Sequence, residues 1–298
     1  MKAPRIRIGL VGLGLIGGSI ARALRRDGAD LGGVRRPIVT AWSPSGSGPV
    51  AALRAGVVDE VAHDLGGAVA DADLVVITAP PLATLELVDW LAGPLRELVG
   101  PATTITDVAS TKRTIVERAR TLGLPFAGGH PMAGLETSGF AAATGGLFEG
   151  RPWVVVDEGA REIDVARVEW LATACGALPV RLGAGDHDAA VAAVSHLPLV
   201  AAVALAESVL GGGARDPDPA VELARRLAAG GWASATRVGR GDPVMGAGIL
   251  ATNAREIAPR LRAYRDALDS WLAALEAGDA PDAAALEARL RAARERLG

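Results

Sequence analysis

Gly12-Leu13-Gly14-Leu15-Ile16-Gly17-Gly18-Ser19 follows an apolar run at residues 6–11 and precedes a helical pattern at residues 20–24. Strand, glycine turn and helix in this order are the context that a dinucleotide-binding fingerprint requires. There the first glycine permits the tight turn, the second lets the backbone approach a pyrophosphate, and the third lets the helix pack on the strand. The helix N-terminus adds free N–H groups and the positive end of a dipole. The stretch predicts a nucleotide site formed by Gly12, Leu13, Gly14, Leu15, Ile16 and Gly17; the alternative is a glycine-rich turn that binds nothing.

Apolar runs and helical patterns alternate through the first half of the chain. The predicted strands are residues 6–11, 38–42, 73–79, 103–108, 125–127, 153–156 and 179–182. The run at residues 73–79 is apolar almost throughout, which is typical of a strand buried on both faces of a parallel sheet. The alternation predicts a doubly wound α/β sheet of the Rossmann type with helices on both faces.

The pattern changes near residue 183, after which only helical periodicity is convincing. The predicted helices are residues 186–210, 219–229, 243–274 and 281–297. We therefore predict a dinucleotide-binding domain at residues 1–183 and an all-helical domain at residues 184–298. Residues 189–206 approach the length of a membrane span, but Ser195 and His196 near their centre are costly in lipid. We expect burial in a helical domain or dimer, and no membrane contact.

The composition excludes several classes of protein. The net charge is −3, with 31 Lys and Arg against 34 Asp and Glu, so no basic face for nucleic acid is expected. Cys175 is the single cysteine, which rules out an intrachain disulfide and fits a small buried residue. No His and Cys cluster has zinc spacing, so no metal is expected. The first residues do not resemble a signal peptide, and we expect a cytoplasmic protein.

Polar residues follow two of the predicted strands, and ligands of open α/β sheets bind at that end of the strands. Ser110 follows the strand at residues 103–108, and His130 follows residues 125–127 within Gly-Gly-His-Pro-Met-Ala-Gly. An imidazole held there suits a proton acceptor near neutral pH. The alternatives are a loop histidine that bonds the backbone, and a serine that only caps a helix.

The helical half contributes further candidates. Pro198 removes a helical hydrogen bond, so Ser195 and His196 are expected at a kink that faces a cavity. His187 lies nine residues before His196, on a different helix face, so at most one of the two is expected to face a given site. Arg237 is either a surface residue or a clamp for a carboxylate, which its planar fork suits.

These motifs together resemble the prephenate/arogenate dehydrogenase family of tyrosine biosynthesis. The resemblance runs from about residue 6 to residue 255, and its most specific parts are His-Pro-Met-Ala-Gly at residues 130–134 and Ser-His-Leu-Pro at residues 195–198. It implies a Rossmann domain, an all-helical dimerisation domain and a homodimer. It also implies hydride transfer from C4 of a cyclohexadienol to a nicotinamide cofactor, followed by loss of carbon dioxide.

The resemblance also implies roles for individual residues. His130 would hydrogen-bond the C4 hydroxyl and accept its proton, and Ser110 would share that hydroxyl or orient the nicotinamide. His196 would line the substrate pocket, and Arg237 would hold a substrate carboxylate. Lys112 is expected to be structural. The substrate, prephenate or arogenate, stays open, because Leu199 and Gly246 stand where many members have His and Trp.

The prediction of the cofactor depends on the residues at the end of the second predicted strand. An acid at its end would bind the ribose 2′-hydroxyl of NAD. This chain has Ser43 and Ser45 there and no acid until Asp59, so no carboxylate at this position would repel the 2′-phosphate of NADP. We favour NADP over NAD, with Ser43 among the cofactor contacts, although no arginine follows closely.

Two other functions fit parts of the sequence. A β-hydroxyacid dehydrogenase shares the two-domain plan, but it needs a catalytic lysine in the second half, and the chain has no lysine after Lys112. A non-catalytic NAD(P)-sensing protein would leave His130, His196 and Arg237 without a joint purpose.

Overall fold

The computed structural model describes residues 5–135, 137–211, 219–278 and 280–298. A parallel sheet of five strands in the order β3-β2-β1-β4-β5 forms the centre of the first half. Its strands are β1 (Arg5–Val11), β2 (Arg35–Trp42), β3 (Glu60–Val61), β4 (Leu74–Ile77) and β5 (Thr104–Asp107). Strand order reverses between β1 and β4, the place where open α/β sheets bind their ligands. The predicted Rossmann-type class is therefore confirmed.

Helices cover both faces of this sheet. They are α1 (Leu15–Ala23), α2 (Ser47–Arg54), α3 (Leu65–Val69), α4 (Pro81–Ala92) and α5 (Arg113–Thr121). Every residue of β4 is buried, with one cluster of apolar side chains on each side of the sheet. The helical periodicity of residues 82–98 predicts one helix, but α4 ends at Ala92 because Gly93 and Pro94 follow, and Pro94 disfavours helical backbone in the residue before it.

A second, three-stranded sheet adjoins the first. It consists of β6 (Gly128–Pro131), β7 (Pro152–Val156) and β8 (Leu178–Arg181), with α6 (Glu162–Ala174) between the last two. β6 runs antiparallel to β7, and β8 runs parallel to it. The strand predicted at residues 125–127 is reduced to one bridge between Phe126 and Ile105.

Residues Gly128–Pro131 therefore form a strand just after the predicted one, so the alternative of a loop histidine does not apply to His130. Glycine permits this close approach, since a Cβ on Gly129 would lie 2.7 Å from the carbonyl oxygen of Asp107. His130 consequently stands on β6, paired with Val154, and its backbone is fixed by the sheet.

From Ala184 onward the described residues form helices and their connections. These are α7 (Ala184–Val191), α8 (Leu197–Leu210), α9 (Pro219–Leu227), α10 (Gly230–Thr236), α11 (Pro243–Thr252), α12 (Ala254–Leu275) and α13 (Ala283–Leu297). Two helices predicted as continuous are interrupted. A π-helical turn at Ala192–His196 separates α7 from α8, and Asn253 separates α11 from α12. The predicted domain boundary at residue 183 falls between β8 and α7.

The segment Ala184–Leu210 is long and apolar enough to cross a membrane, by length and composition alone. Only 22% of its most apolar window is buried within the chain, and Ala202 is the buried residue of α8. Contacts within the single chain therefore do not provide the burial that the sequence predicts for this segment. The polar residues His187, Asp188 and His196 lie inside the segment and are buried, which is unlike a span in lipid.

Candidate active site

The glycine turn between β1 and α1 has the geometry of a phosphate-binding turn. Gly12 has a φ of +101°, and a Cβ there would lie 2.6 Å from the hydroxyl of Thr78. A Cβ on Gly17 would lie 2.3 Å from the carbonyl oxygen of Gly12, so that position also needs glycine. A Cβ on Gly14 would meet no atom within 4 Å. Gly14 is the N-cap of α1, so this open space lies where helix N–H groups attract an anion.

A shallow cavity of about 450 Å³ lies beside this turn, at the end of β2. Its described lining includes Leu13, Gly14 and the three hydroxyl groups of Ser43, Ser45 and Ser47. The first acid after β2, Asp59, accepts hydrogen bonds from the amide of Val39 at 2.8 Å and from Arg25. This end of the site therefore presents hydroxyl groups to a ligand.

A larger cavity of about 610 Å³ opens at the carboxyl ends of β1, β4 and β5. Its size is ordinary for a small-molecule site. The described lining combines both halves of the chain: Gly14, Leu15, Ile16, Thr78, Ser110, His130, Arg240 and Met245 are among its residues. Ser110 therefore faces the cavity, and Lys112, not Ser110, is the N-cap residue of α5. The fingerprint, Ser110 and His130 are brought together as the sequence predicts.

One edge of the His130 ring is held by a second histidine. Nδ1 of His130 lies 2.8 Å from Nε2 of His187, and the two rings meet edge to face. Nε2 is the ring nitrogen of His130 that this contact leaves available. Burial lowers the pKa of His130 well below its ordinary value, and the positive charges that His187, Lys112 and His196 can carry act in the same direction. His130 is therefore a neutral imidazole at physiological pH.

Asp188 anchors the helical half to the first half. Its carboxylate accepts the backbone N–H groups of Lys112 at 2.8 Å and Arg113 at 2.9 Å, at the start of α5. A carboxylate is favoured at that helix end by the dipole and the free N–H groups. Nδ1 of His187 lies 2.7 Å from the same carboxylate. Burial would raise the pKa of Asp188, but these hydrogen bonds lower it below its ordinary value.

Lys112 is fully buried against Asp107 at the end of β5. Its ammonium group also donates to the carbonyl oxygen of Gly129 at 2.7 Å. Burial lowers the pKa of Lys112, and the neighbouring Asp107 acts in the opposite direction. The pair ties β5 to β6, which supports the structural role that the sequence predicts for Lys112.

A π-helical turn separates His187 from His196, of which the sequence predicts that at most one faces a given site. Pro198 lacks the N–H group that would continue an α-helical ladder, and the turn before it widens. The wider turn changes the phase between α7 and α8. Both imidazoles consequently lie close enough to His130 to lower its pKa.

His196 is buried, with 1% of its surface exposed, and it is not among the described residues that line the larger cavity. Asn253 donates to the carbonyl oxygen of Asp188 at 2.9 Å, and its amide nitrogen lies 3.1 Å from Nδ1 of His196. Burial lowers the pKa of His196 to about 4; of the nearby charges, Asp188 acts to raise it and His187 to lower it. Its Nε2 has no hydrogen-bond partner among the described residues, so it is a buried donor that a ligand could satisfy.

Arg237 begins a 3₁₀ turn, Arg237–Arg240, that connects α10 to α11. Within the described lining of the larger cavity, this turn contributes Arg240 and not Arg237. Sequence reasoning did not single out Arg240, which follows Arg237 by three residues in the same turn. No group of three or more potential metal ligands occurs in the described parts of the chain.

Comparisons with known proteins place both halves of this chain in one family. A family model described as prephenate dehydrogenase, nucleotide-binding domain, matches residues 20–179, and one described as prephenate dehydrogenase, dimerization domain, matches residues 183–289. The chain is 33% identical to the prephenate dehydrogenase of Bacillus subtilis, over 94% of this chain and 73% of that relative.

Two solved structures extend the likeness. The arogenate dehydrogenase of Synechocystis is 30% identical, with a TM-score of 0.74 over 99% of this chain and all of that one. The prephenate dehydrogenase of Aquifex aeolicus, solved with hydroxyphenyl propionate and NAD+, is 23% identical with a TM-score of 0.82 over 100% of this chain and 99% of that one. The latter likeness shows the shared fold.

Proposed function

Because the chain belongs to the prephenate dehydrogenase family, we propose that its larger cavity binds a cyclohexadienol carboxylate, either prephenate or arogenate. The protein is an NAD(P)-dependent dehydrogenase that oxidises and decarboxylates such a substrate. The observation that carries the proposal is the neutral His130 imidazole in a cavity that opens beside the glycine turn.

In this proposal His130 is the general base. Its free Nε2 accepts the proton of the substrate C4 hydroxyl as the C–H bond at C4 breaks. Withdrawal of that proton pushes electron density toward the departing hydride, and general-base assistance of this kind is worth about 10²–10⁴-fold in rate. Ser110, on the same cavity wall, shares the hydroxyl or orients the nicotinamide.

Substrate carboxylates need cationic partners. Arg237 is the proposed clamp, and Arg240 from the same turn is a second candidate because it lines the cavity. The Nε2–H of His196, which has no partner in the part of the chain that the structure describes, is the proposed donor to a bound substrate. Loss of the ring carboxylate as carbon dioxide requires no further protein base, since aromatisation drives it.

The residues present fit a nicotinamide dinucleotide. Space at Gly14 and the N-terminus of α1 suit the pyrophosphate, and Leu13, Leu15, Ile16 and Ser43 line the adjoining cavities. When bound, the nicotinamide ring supplies the acceptor for the hydride that leaves C4. Gly12 and Gly17 allow the backbone to turn tightly at this end of the site, where a Cβ at either position would clash.

We propose NADP as the preferred cofactor. Ser43, Ser45 and Ser47 offer hydroxyl donors to a 2′-phosphate, and Asp59 is engaged by Arg25 and a backbone amide. The variant Ser43→Asp should shift kcat/KM toward NAD, because a carboxylate repels the 2′-phosphate and accepts from the ribose. Ser45→Ala is the matched control that removes a hydroxyl without adding charge. A parent enzyme with a much higher kcat/KM for NAD would reverse this preference.

The helical half matches the dimerisation domain of the family, which supports a homodimer. We also expect a cytoplasmic enzyme, in keeping with a single, buried cysteine whose pKa burial raises to about 12. Neither a nucleic acid nor a membrane is among the proposed partners.

The direct test supplies prephenate and arogenate, each with NADP and with NAD, and follows reduced cofactor and carbon dioxide. We expect turnover with at least one substrate and one mole of carbon dioxide per mole of reduced cofactor. Binding of the cofactor without turnover of either substrate would instead favour a sensing protein.

A further inference from the structure

The ring of His130 is joined to a carboxylate through His187, across the junction of the two halves of the chain. Nδ1 of His130 lies 2.8 Å from Nε2 of His187, and Nδ1 of His187 lies 2.7 Å from the carboxylate of Asp188. We infer that His187, held by Asp188, is a positioning residue that fixes the His130 tautomer whose Nε2 carries the lone pair. This inference rests on the proposed role of His130 as the proton acceptor.

The proton positions follow from the Asp188 end. The two oxygens of Asp188 accept backbone N–H groups from Lys112 and Arg113, so this side chain is an ionised acceptor at the start of α5. An ionised carboxylate cannot donate a hydrogen bond. Nδ1 of His187 must therefore carry the hydrogen that joins the two groups.

The position of the proton on His130 follows from the chemistry of imidazole. A neutral imidazole has one donor nitrogen and one acceptor nitrogen. When His187 is neutral and carries its one proton on Nδ1, it presents a lone pair at Nε2, and His130 donates to it from its own Nδ1. Nε2 of His130 is then unprotonated and available as the base. The hydrogen bond made by one ring nitrogen thus sets the state of the other.

The arrangement also explains why the base needs a partner. A free imidazole prefers its proton on Nε2, and that tautomer would offer the substrate hydroxyl a donor in place of an acceptor. β6 fixes the His130 backbone, whereas α7 carries His187 and Asp188. His130 therefore takes the tautomer with an unprotonated Nε2 only when α7 packs against the start of α5.

Nuclear magnetic resonance of histidine-labelled protein tests the inference directly. The chain has four histidines, so proton–nitrogen correlation spectra of the imidazoles can be assigned by single substitutions. In the ligand-free dimer at pH 8, we expect the His130 proton on Nδ1 and an unprotonated Nε2. A parent spectrum with the His130 proton on Nε2 would overturn the inference without any assay of activity.

Two substitutions of His187 separate positioning from mere packing. His187→Leu removes both hydrogen bonds and should lower kcat on the order of 100-fold, with KM and cofactor affinity changed by less than about threefold. His187→Gln keeps an acceptor for His130 and a donor for Asp188, so it should retain the Nδ1–H tautomer and recover about tenfold of the lost kcat. His63→Gln is the matched control, because the side chain of His63 is fully exposed.

The results for the His187 variants distinguish a positioning role from a packing role. A folded His187→Leu variant with the parent kcat would contradict the inference, as would Leu and Gln variants that are equally slow with the tautomer unchanged. If the Leu variant does not fold, the parent spectrum and the Gln variant still decide. Normal turnover of a His130→Asn variant would remove the proposed base itself, whichever tautomer the spectra record.

Discussion

The amide nitrogen of Asn253 lies 3.1 Å from Nδ1 of His196, so the break between α11 and α12 meets the π-helical turn between α7 and α8. The same amide donates to the carbonyl oxygen of Asp188. Both interruptions of regular helix thus lie at one buried polar cluster. Irregular backbone therefore occurs where these buried polar side chains meet, and π-helical turns are frequent at functional sites.

His130→Asn should lower kcat by about 10²–10⁴-fold, because an amide cannot accept the C4 hydroxyl proton. The cofactor dissociation constant should change by less than about twofold, since the glycine turn and the serines that follow β2 are untouched. Steady-state kinetics and fluorescence titration with NADPH measure the two quantities. Turnover near the parent value would refute the role of His130.

Arg237→Ala should raise the substrate KM more than it lowers kcat, because a carboxylate clamp binds ground state and transition state alike. Loss of such a charged contact costs roughly 2–5 kcal/mol. Arg240→Ala is the informative companion, since Arg240 lines the cavity while both residues share one turn. An unchanged KM in Arg237→Ala with a raised KM in Arg240→Ala would transfer the role to Arg240.

The glycine turn gives a matched pair of substitutions. Gly14→Ala adds a methyl group to open space, so the fold should keep its melting temperature while cofactor affinity falls. Gly17→Ala places a Cβ 2.3 Å from the carbonyl oxygen of Gly12, so stability should fall by about 1–3 kcal/mol as the turn shifts. Thermal unfolding and cofactor titration of both variants check this. A Gly14→Ala variant that binds cofactor as tightly as the parent would remove the pyrophosphate from that space.

Stability should fall as the pH is lowered from about 6.5 toward 4. The folded-state pKa of His196 is about 4, below its ordinary value, so in this window the unfolded chain binds a proton that the folded chain does not. The contribution is complete above pH 6.5 and amounts to roughly 3 kcal/mol, at about 1.4 kcal/mol for each unit of pKa difference. His130 acts in the same direction, since its pKa is also lowered.

Urea unfolding at a fixed chain concentration measures this slope. His196→Leu should flatten it, whereas His63→Leu, at a fully exposed side chain, should leave it unchanged. Equal slopes in the parent and His196→Leu proteins would show that the buried imidazole is not the source.

The features of the fold that could be predicted from the sequence are those that depend on local sequence patterns. The fingerprint at residues 12–17 and the alternation of strands and helices are local signals, and both are confirmed by the sheet and its helices. The contact between His130 and His187 joins residues 57 apart, which no spacing rule predicts. Pro198 signalled a disturbance of the helix, but the sequence did not show that this disturbance takes the form of a π-helical turn. Asn253 carries no helix-breaking signal as strong as Gly or Pro, and the break there depends on tertiary hydrogen bonds.

The apolar surface of the helical half has a consequence for how the protein is made. Val194 is 72% exposed and Val244 is 67% exposed in the single chain, and only Ala202 of α8 is buried. For a dimer that covers such surface, subunit association contributes to the free energy of unfolding. The unfolding midpoint should therefore rise with protein concentration, and dilute nascent chains would pass through a stage that is prone to aggregation until a second copy arrives.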